Sequence, residues 1–292
     1  MNSENQPAPL DDTFVSYSQN FEDVMLWRAL KHIKGGFYVD VGANDPVTAS
    51  VTKLFYDNGW TGINIEPCKS VYDRLTELRP NDINLRQLVG SSESEATFFE
   101  FSDTGWSTMD EDVAELFRVQ GNEVEGSILH VKSLDQILDE SVAETIHFLK
   151  IDVEGAEKSV LEGMLLVKHR PWVLVIESTI PGSSVHNHDA WEDLVLSKDY
   201  EFVYDDGLNR FYVATECADL KSHFKYPPNV FDGFTLYAQV ALEERCSEIS
   251  RGCEGALVEL DQCKAQLRKK RRGKIVRCLR NPKKILSIIC ER

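Results

Sequence analysis

Short apolar runs alternate with helix-spaced segments along roughly the first 240 residues. FYVDV (37–41), GINIE (62–66), INLRQLVG (83–90), IHFLKIDV (146–153) and WVLVIES (172–178) are rich in β-branched and aromatic residues. Near-continuous runs of this kind read as strands buried on both faces of a parallel sheet. ATFFEF (96–101) and SILHVKS (127–133) read as further short strands. The first helix is expected over 18–33, with Val24, Leu26, Trp27 and Leu30 on its apolar face and Gly35-Gly36 ending it. Helical spacing returns at 47–59, 71–80, 111–120, 157–165 and 190–198. YEFVYDD (200–206) and RFYVA (210–214) lie close enough to form an antiparallel hairpin. The alternation predicts an α/β domain over 16–240, a mostly parallel sheet with helices on both faces. Residues 1–15 are polar and are expected to be flexible.

The pattern changes at Leu242. Leu242, Cys246, Ile249, Cys253, Ala256, Leu260, Cys263 and Leu267 step alternately by four and three. That is a heptad seam, softened by Gly252 and Gly255. It predicts a coiled-coil helix over 241–268 and a homodimer through 242–267. Residues 269–292 form a basic segment with interleaved Ile, Val and Leu, interrupted at Pro282.

Charge separates the same two regions. The chain of 292 residues carries a net −16, yet 264–292 hold 12 bases and one acid. The preceding body, with 20 bases and 47 acids, is a poor surface for nucleic acid. The basic segment reads either as a solvated end or as an amphipathic contact for an anionic membrane. Nucleic-acid binding by this segment is a weaker third reading. No signal peptide and no apolar run of about 18 residues is expected to span a membrane. The seven cysteines contain no CxxC pair. These features predict a cytoplasmic protein, in the membrane reading peripheral at the inner face.

Ligands of open parallel sheets sit beyond the carboxyl ends of the strands, so those ends are where chemistry is sought. Asp40 and Gly42 end the first run, Glu66 the second, Asp152 and Glu154 the fourth, and Glu177 the fifth. Gly42 permits close backbone approach to a ligand. Glu66 can accept from ribose hydroxyls, and Asp40 from an ammonium or from turn amides. An acid-rich rim suits a nucleoside with a cationic centre and repels a diphosphate. With one Gly in the first turn there is no GxGxxG fingerprint. These points favour S-adenosylmethionine over NAD.

FYVDVGANDP (37–46), GWTGINIEP (59–67) and HFLKIDVEGAEKSVLEGM (147–164) resemble the FkbM family of methyltransferases. SYSQNFEDV, GWSTMD, RPWVLVIEST and DGLNRFYVA fit the same pattern, and the resemblance covers roughly 16–234. It implies the class I Rossmann-like methyltransferase fold, with a seven-stranded sheet, and methyl transfer from S-adenosylmethionine to hydroxyls of sugars, glycolipids or polyketides. Asp45-Pro46 stands where many class I methyltransferases have another Gly. By this resemblance Asp40, Gly42 and Asn44 form the methionine-side loop and Glu66 is the ribose ligand. Gln19, Glu22 and Asp23 could close over the amino-acid end, Val89 and Gly90 lie near the adenine, and Asp152 faces the reacting methyl.

Methylation of a hydroxyl needs an aligned acceptor and a group that takes its proton. The candidates are Asp152, Glu154, Glu177, His186 and His188, with His188 the better match to the family pattern. Lys150 either polarises the acceptor or pairs with Asp152. Trp106 reads as a lid over the acceptor pocket. A magnesium site from Asp152, Glu177 and a histidine is an open alternative, but no metal is expected. The expected function is O-methylation of a glycan or glycolipid sugar, as in polysaccharide biosynthesis. The rivals are another acceptor (polyketide, protein or RNA) or a non-catalytic scaffold.

Overall fold

A computed structural model describes residues 13–101, 107–108, 111–141 and 145–279. Trp106, Pro282 and most of the basic segment lie outside the described residues. The chain divides into two compact units, Met1–Tyr237 and Ala238–Arg292.

In the first unit the chain begins with β1 (Phe14–Ser16) and α1 (Glu22–Leu30), then alternates β2 (Phe37–Val41), α2 (Lys53–Asp57), β3 (Thr61–Ile65), α3 (Lys69–Leu78) and β4 (Ile83–Leu85). An inserted layer follows, made of β5 (Leu88–Val89), β6 (Ser94–Phe101), β7 (Ser107–Thr108), α4 (Glu111–Val119) and β8 (Val124–Lys132). The alternation resumes with α5 (Leu134–Ser141), β9 (Phe148–Ile151), α6 (Glu157–Glu162), β10 (Val173–Glu177) and α7 (Glu192–Leu196). It closes with β11 (Tyr200–Asp205), β12 (Asn209–Ala214), a 3-10 segment Thr215–Phe224 and β13 (Phe234–Leu236). β1 and β13 pair in parallel as a small separate sheet.

Seven strands form the main sheet in the order β11-β12-β10-β9-β2-β3-β4. β10, β9, β2, β3 and β4 are mutually parallel, and β12 runs antiparallel to both β10 and β11. The hairpin and the mostly parallel sheet are as the alternation predicts. Strand periodicity divides the core into two layers. Val39, Ile63, Leu149 and Ile176 pack with residues of α5, α6 and α7. Tyr38, Phe148, Val175 and Phe211 pack on the other face against Met25, Leu26, Leu54 and Phe55 of α1 and α2.

Several local expectations are corrected. INLRQLVG is two strands rather than one: β4 joins the main sheet, while β5 pairs with β8 in a four-stranded sheet ordered β5-β8-β6-β7. Between them Arg86 turns aside to donate to the Pro67 carbonyl and to Glu100. The first helix starts at Glu22 and not at Ser18. The Asp23 carboxylate accepts from the hydroxyls of Ser16 and Ser18 and from the Tyr17 amide, holding that stretch as a loop. The helix expected over 47–59 shrinks to α2. Asp45 accepts the amides of Val47 and Thr48, and Ala49 is left-handed at φ 59°. Such side-chain capture of backbone competes with helix formation. α5, the Thr215–Phe224 segment and the β1–β13 pair had no counterpart in the sequence reading.

In the second unit one helix, α8 (Tyr237–Leu279), runs unbroken through Gly252 and Gly255 and past the boundary expected at 268.

Candidate functional site

The first turn of the sheet is built by contact between three strand ends. Gly42 has φ 79°, and a Cβ there would lie 1.7 Å from the Asp152 carbonyl oxygen, so no other residue fits. Gly42 and Ala43 donate their amides to the Ile65 carbonyl, and the Asp152 amide donates to Val41. Asn44 is left-handed at φ 50°. Its amide donates to Glu66 Oε2 at 2.9 Å, and the Cys68 amide donates to Oε1 at 2.8 Å. Glu66 therefore clamps the loops after β2 and β3 together. Burial pushes its carboxyl up to about 7, against the pull of those two amides.

A buried arginine fixes this loop from behind. Arg79, fully buried, donates through Nε to the Pro46 carbonyl at 3.1 Å and through Nη2 to Ser50 Oγ. Asp82, 3.8 Å away, accepts from Tyr38 Oη, Asn64 Nδ2 and the Gly62 amide. Arg74 pairs with Asp45 on the outer side. Sequence reasoning missed Arg79 and Asp82, because a basic residue at a helix end ordinarily reads as a dipole partner.

A polar row crosses the sheet beneath α1 and α2. Asn64, Asp40 and Lys150 are adjacent in register on β3, β2 and β9. Lys150 Nζ donates to the Gly42 carbonyl at 2.9 Å and lies 3.4 Å from Asp40 Oδ1 and 3.3 Å from Asp152 Oδ2. Burial opposes its charge, but Asp152 and then Asp40 hold its pKa above the ordinary value. Of the two jobs foreseen for Lys150, the geometry displays the pairing with Asp152. Asp40, only 1% exposed, accepts from Thr52 Oγ1, and burial raises its pKa despite Lys150.

The ends of β9 and β10 are different. Glu177 is buried, and its Oε2 has no hydrogen-bond partner. Burial and then the charges of Asp152 and Glu154 push its carboxyl up to about 9. Glu154 sits at φ 54° and is also raised, by burial and by Asp152. The loop is shaped by Glu157, which accepts the amides of Val153 and Gly155. Behind this group Glu22 accepts from the Asn20 amide and from Asn209 Nδ2, and burial brings it up to about 7. Asn209 faces Glu177 across the β10–β12 pair. Sequence reasoning passed over both Glu157 and Asn209.

The remaining candidates lie apart from this contact set. Gln19 is exposed, and Asp23 is satisfied by the β1 loop. Val89 is buried in β5, and the Gly90 carbonyl packs against Gly163 so closely that a Cβ on Gly163 would meet it at 2.1 Å. His186 is brought back to β10 by its bridge to Thr179, with Nδ1 3.4 Å from Ser178 Oγ. The His188 ring is 5.6 Å from it, with Nδ1 buried and unpartnered and Nε2 4.0 Å from Glu192. Among the described residues no hydrogen bond or ion pair joins either histidine to Asp152 or Glu177, and no group of three or more His, Cys, Asp or Glu has metal-holding geometry. A 350 Å³ hollow lined by Leu166, Arg170, Lys198 and Glu216 lies at the opposite rim, away from the acids.

The sequence model of the methyltransferase FkbM domain matches residues 40–202, more than half of the chain. The chain belongs to this family and is an S-adenosylmethionine-dependent methyltransferase. No curated protein matches it. Among solved structures it is similar to a TehB-like SAM-dependent methyltransferase from Corynebacterium glutamicum, at 10% identity over 66% of this chain and 85% of that one, with a TM-score of 0.36. It is also similar to a chain of a fibrillarin/Nop5p complex, at 11% identity over 62% and 73%, with a TM-score of 0.32. Neither likeness is close enough to carry residue roles.

The rim fits the family's cofactor on chemical grounds. The carboxyls of Asp40, Glu154 and Glu177 are all raised by burial and by one another or Asp152, so a cation beside them is stabilised. Glu66 keeps the carboxylate lone pairs that its two amide bonds leave free.

Proposed function

We propose that this enzyme O-methylates a sugar hydroxyl of a glycan or glycolipid in the cytoplasm. In this reading the Gly42–Asn44 turn receives the methionine end of S-adenosylmethionine and Glu66 accepts from its ribose. The bound cofactor supplies an electrophilic methyl on a sulfonium. The chain supplies position, charge and a place for a proton.

The observation that carries the reading is the Asp152–Glu177 pair at adjoining strand ends. Burial, and then the charges of Asp152 and Glu154 beside it, favour the protonated form of Glu177. Asp152 keeps an ion pair with Lys150 on one side. As the acceptor oxygen would form its new bond to carbon, its proton would pass to the Asp152 carboxylate, which becomes a neutral acid as the sulfonium loses its positive charge. Lys150 keeps Asp152 aligned with the first turn through its bond to the Gly42 carbonyl. A histidine base at His188 is the second reading, favoured by its buried, unpartnered Nδ1.

Titration with S-adenosylhomocysteine in a calorimeter tests the cofactor half. Micromolar binding is expected, with a loss of about 10- to 100-fold in Glu66→Ala. No heat from a folded protein would overturn the cofactor assignment. Profiling methyl transfer over free sugars, lipid-linked sugars, polyketides, peptides and RNA tests the acceptor half. Transfer confined to a non-sugar acceptor would replace the glycan reading without touching the cofactor site.

A further inference from the structure

The exposed seam of α8 is more than a generic apolar stripe. Leu242, Ile249, Leu260 and Leu267 are each 49–62% exposed on a helix of 43 residues, roughly 65 Å long. Cys246, Cys253 and Cys263 on the same seam are free and exposed. Soluble proteins seldom leave such a line of apolar side chains in water without a partner.

The order of residues along the seam is close to a palindrome about the point between Glu254 and Gly255. Opposed end to end, Leu242 meets Leu267, Cys246 meets Cys263, Ile249 meets Leu260 and Cys253 meets Ala256. Large faces large, thiol faces thiol, and small faces small at the centre. Gly252 and Gly255 flank that centre, where two helices cross most closely and extra bulk is least tolerated.

Charge selects the same orientation. Residues 243–261 hold six acids and two bases, whereas 264–271 hold five bases and no acid. A parallel pair would set the two basic ends side by side. An antiparallel pair sets each basic end toward the acidic end of its partner.

We propose that α8 is the docking surface for a second copy of this chain, joined antiparallel with Cys246 of each chain opposite Cys263 of the other.

The test uses full-length chains with Cys253→Ser, Cys278→Ser and Cys290→Ser, plus either Cys246→Ser or Cys263→Ser. Each is treated with a short bismaleimide, which joins two nearby thiols without any redox step. Neither chain alone should give a seam cross-link, because in the antiparallel register like cysteines lie 17 residues apart, roughly 25 Å along the axis. A mixture of the two should give a cross-linked heterodimer with the linker between Cys246 and Cys263 peptides. Sedimentation should show a dimer, weakened at least about tenfold by Ile249→Asp. Efficient cross-linking between two Cys246 peptides in the chain that keeps Cys246 as its seam cysteine would overturn the orientation. A monomer at every concentration up to about 100 µM would overturn the dimer.

Discussion

The two halves of the acid rim are built from the same residue types and behave in opposite ways. On the β2–β3 side the loop carboxylates have donors: Glu66 has two amides, and Asp45 has two amides and Arg74. On the β9–β10 side Asp152, Glu154 and Glu177 face one another, and Lys150 is shared between Asp152 and Asp40. The first half is a finished clamp that sets a backbone shape. The second crowds carboxyls that burial and one another's charge drive toward the protonated form, with Glu177 Oε2 left without a hydrogen-bond partner, and a cationic ligand would relieve that.

The comparison breaks most severely at Gly42→Ala, where the halves touch. The new Cβ would collide with the Asp152 carbonyl, and the left-handed backbone would add about 1–2 kcal/mol. A fall in Tm of roughly 5–10 °C and loss of S-adenosylhomocysteine binding are expected, by scanning calorimetry and titration. Unchanged binding would mean the turn is not part of the cofactor site. Next comes Arg79→Met, which removes donors from Pro46 and Ser50 and leaves Asp82 without its nearby cation. At 3.8 Å from Asp82 the pair is a loose one, so a smaller loss of stability than in Gly42→Ala should accompany weaker cofactor binding.

Glu177→Gln sharpens the other half. The folded carboxyl titrates near 9, above its ordinary 4.5, so the folded state binds the extra proton. Stability should therefore fall as pH rises from about 4.5 through about 9. Glu177→Gln should flatten that slope and leave the variant relatively more stable at the alkaline end. Melting curves from pH 6 to 9 read this directly, and parallel slopes for both proteins would show that Glu177 is not the strained group. The smallest effect belongs to truncation near Val240. It should leave S-adenosylhomocysteine affinity unchanged while abolishing association with anionic liposomes. Equal liposome binding by the truncated protein would remove the basic segment as the anchor.

The reading of single residues succeeded where local sequence is enough. β2 falls where FYVDV predicts it, and the antiparallel hairpin at 200–214 forms from two runs separated by a short turn. INLRQLVG failed for a tertiary reason. Its apolar pattern is continuous, but Arg86 has partners at Pro67 and Glu100, residues distant in the chain, and these divide it between two sheets. Arg79 and Asn209 escaped for the same reason, since their partners lie 33 and 187 residues away.

The sequence by itself determined the alternation of strands and helices, the acids at the strand ends, the family and the seam of α8, because each is written in nearest-neighbour periodicity or in contiguous motifs. Only the tertiary structure decided which acids are satisfied and which repel. That depends on burial and on donors brought from remote segments, so Asp40, Glu66 and Glu177, alike as strand-end carboxylates whose pKa burial raises, meet three different sets of partners.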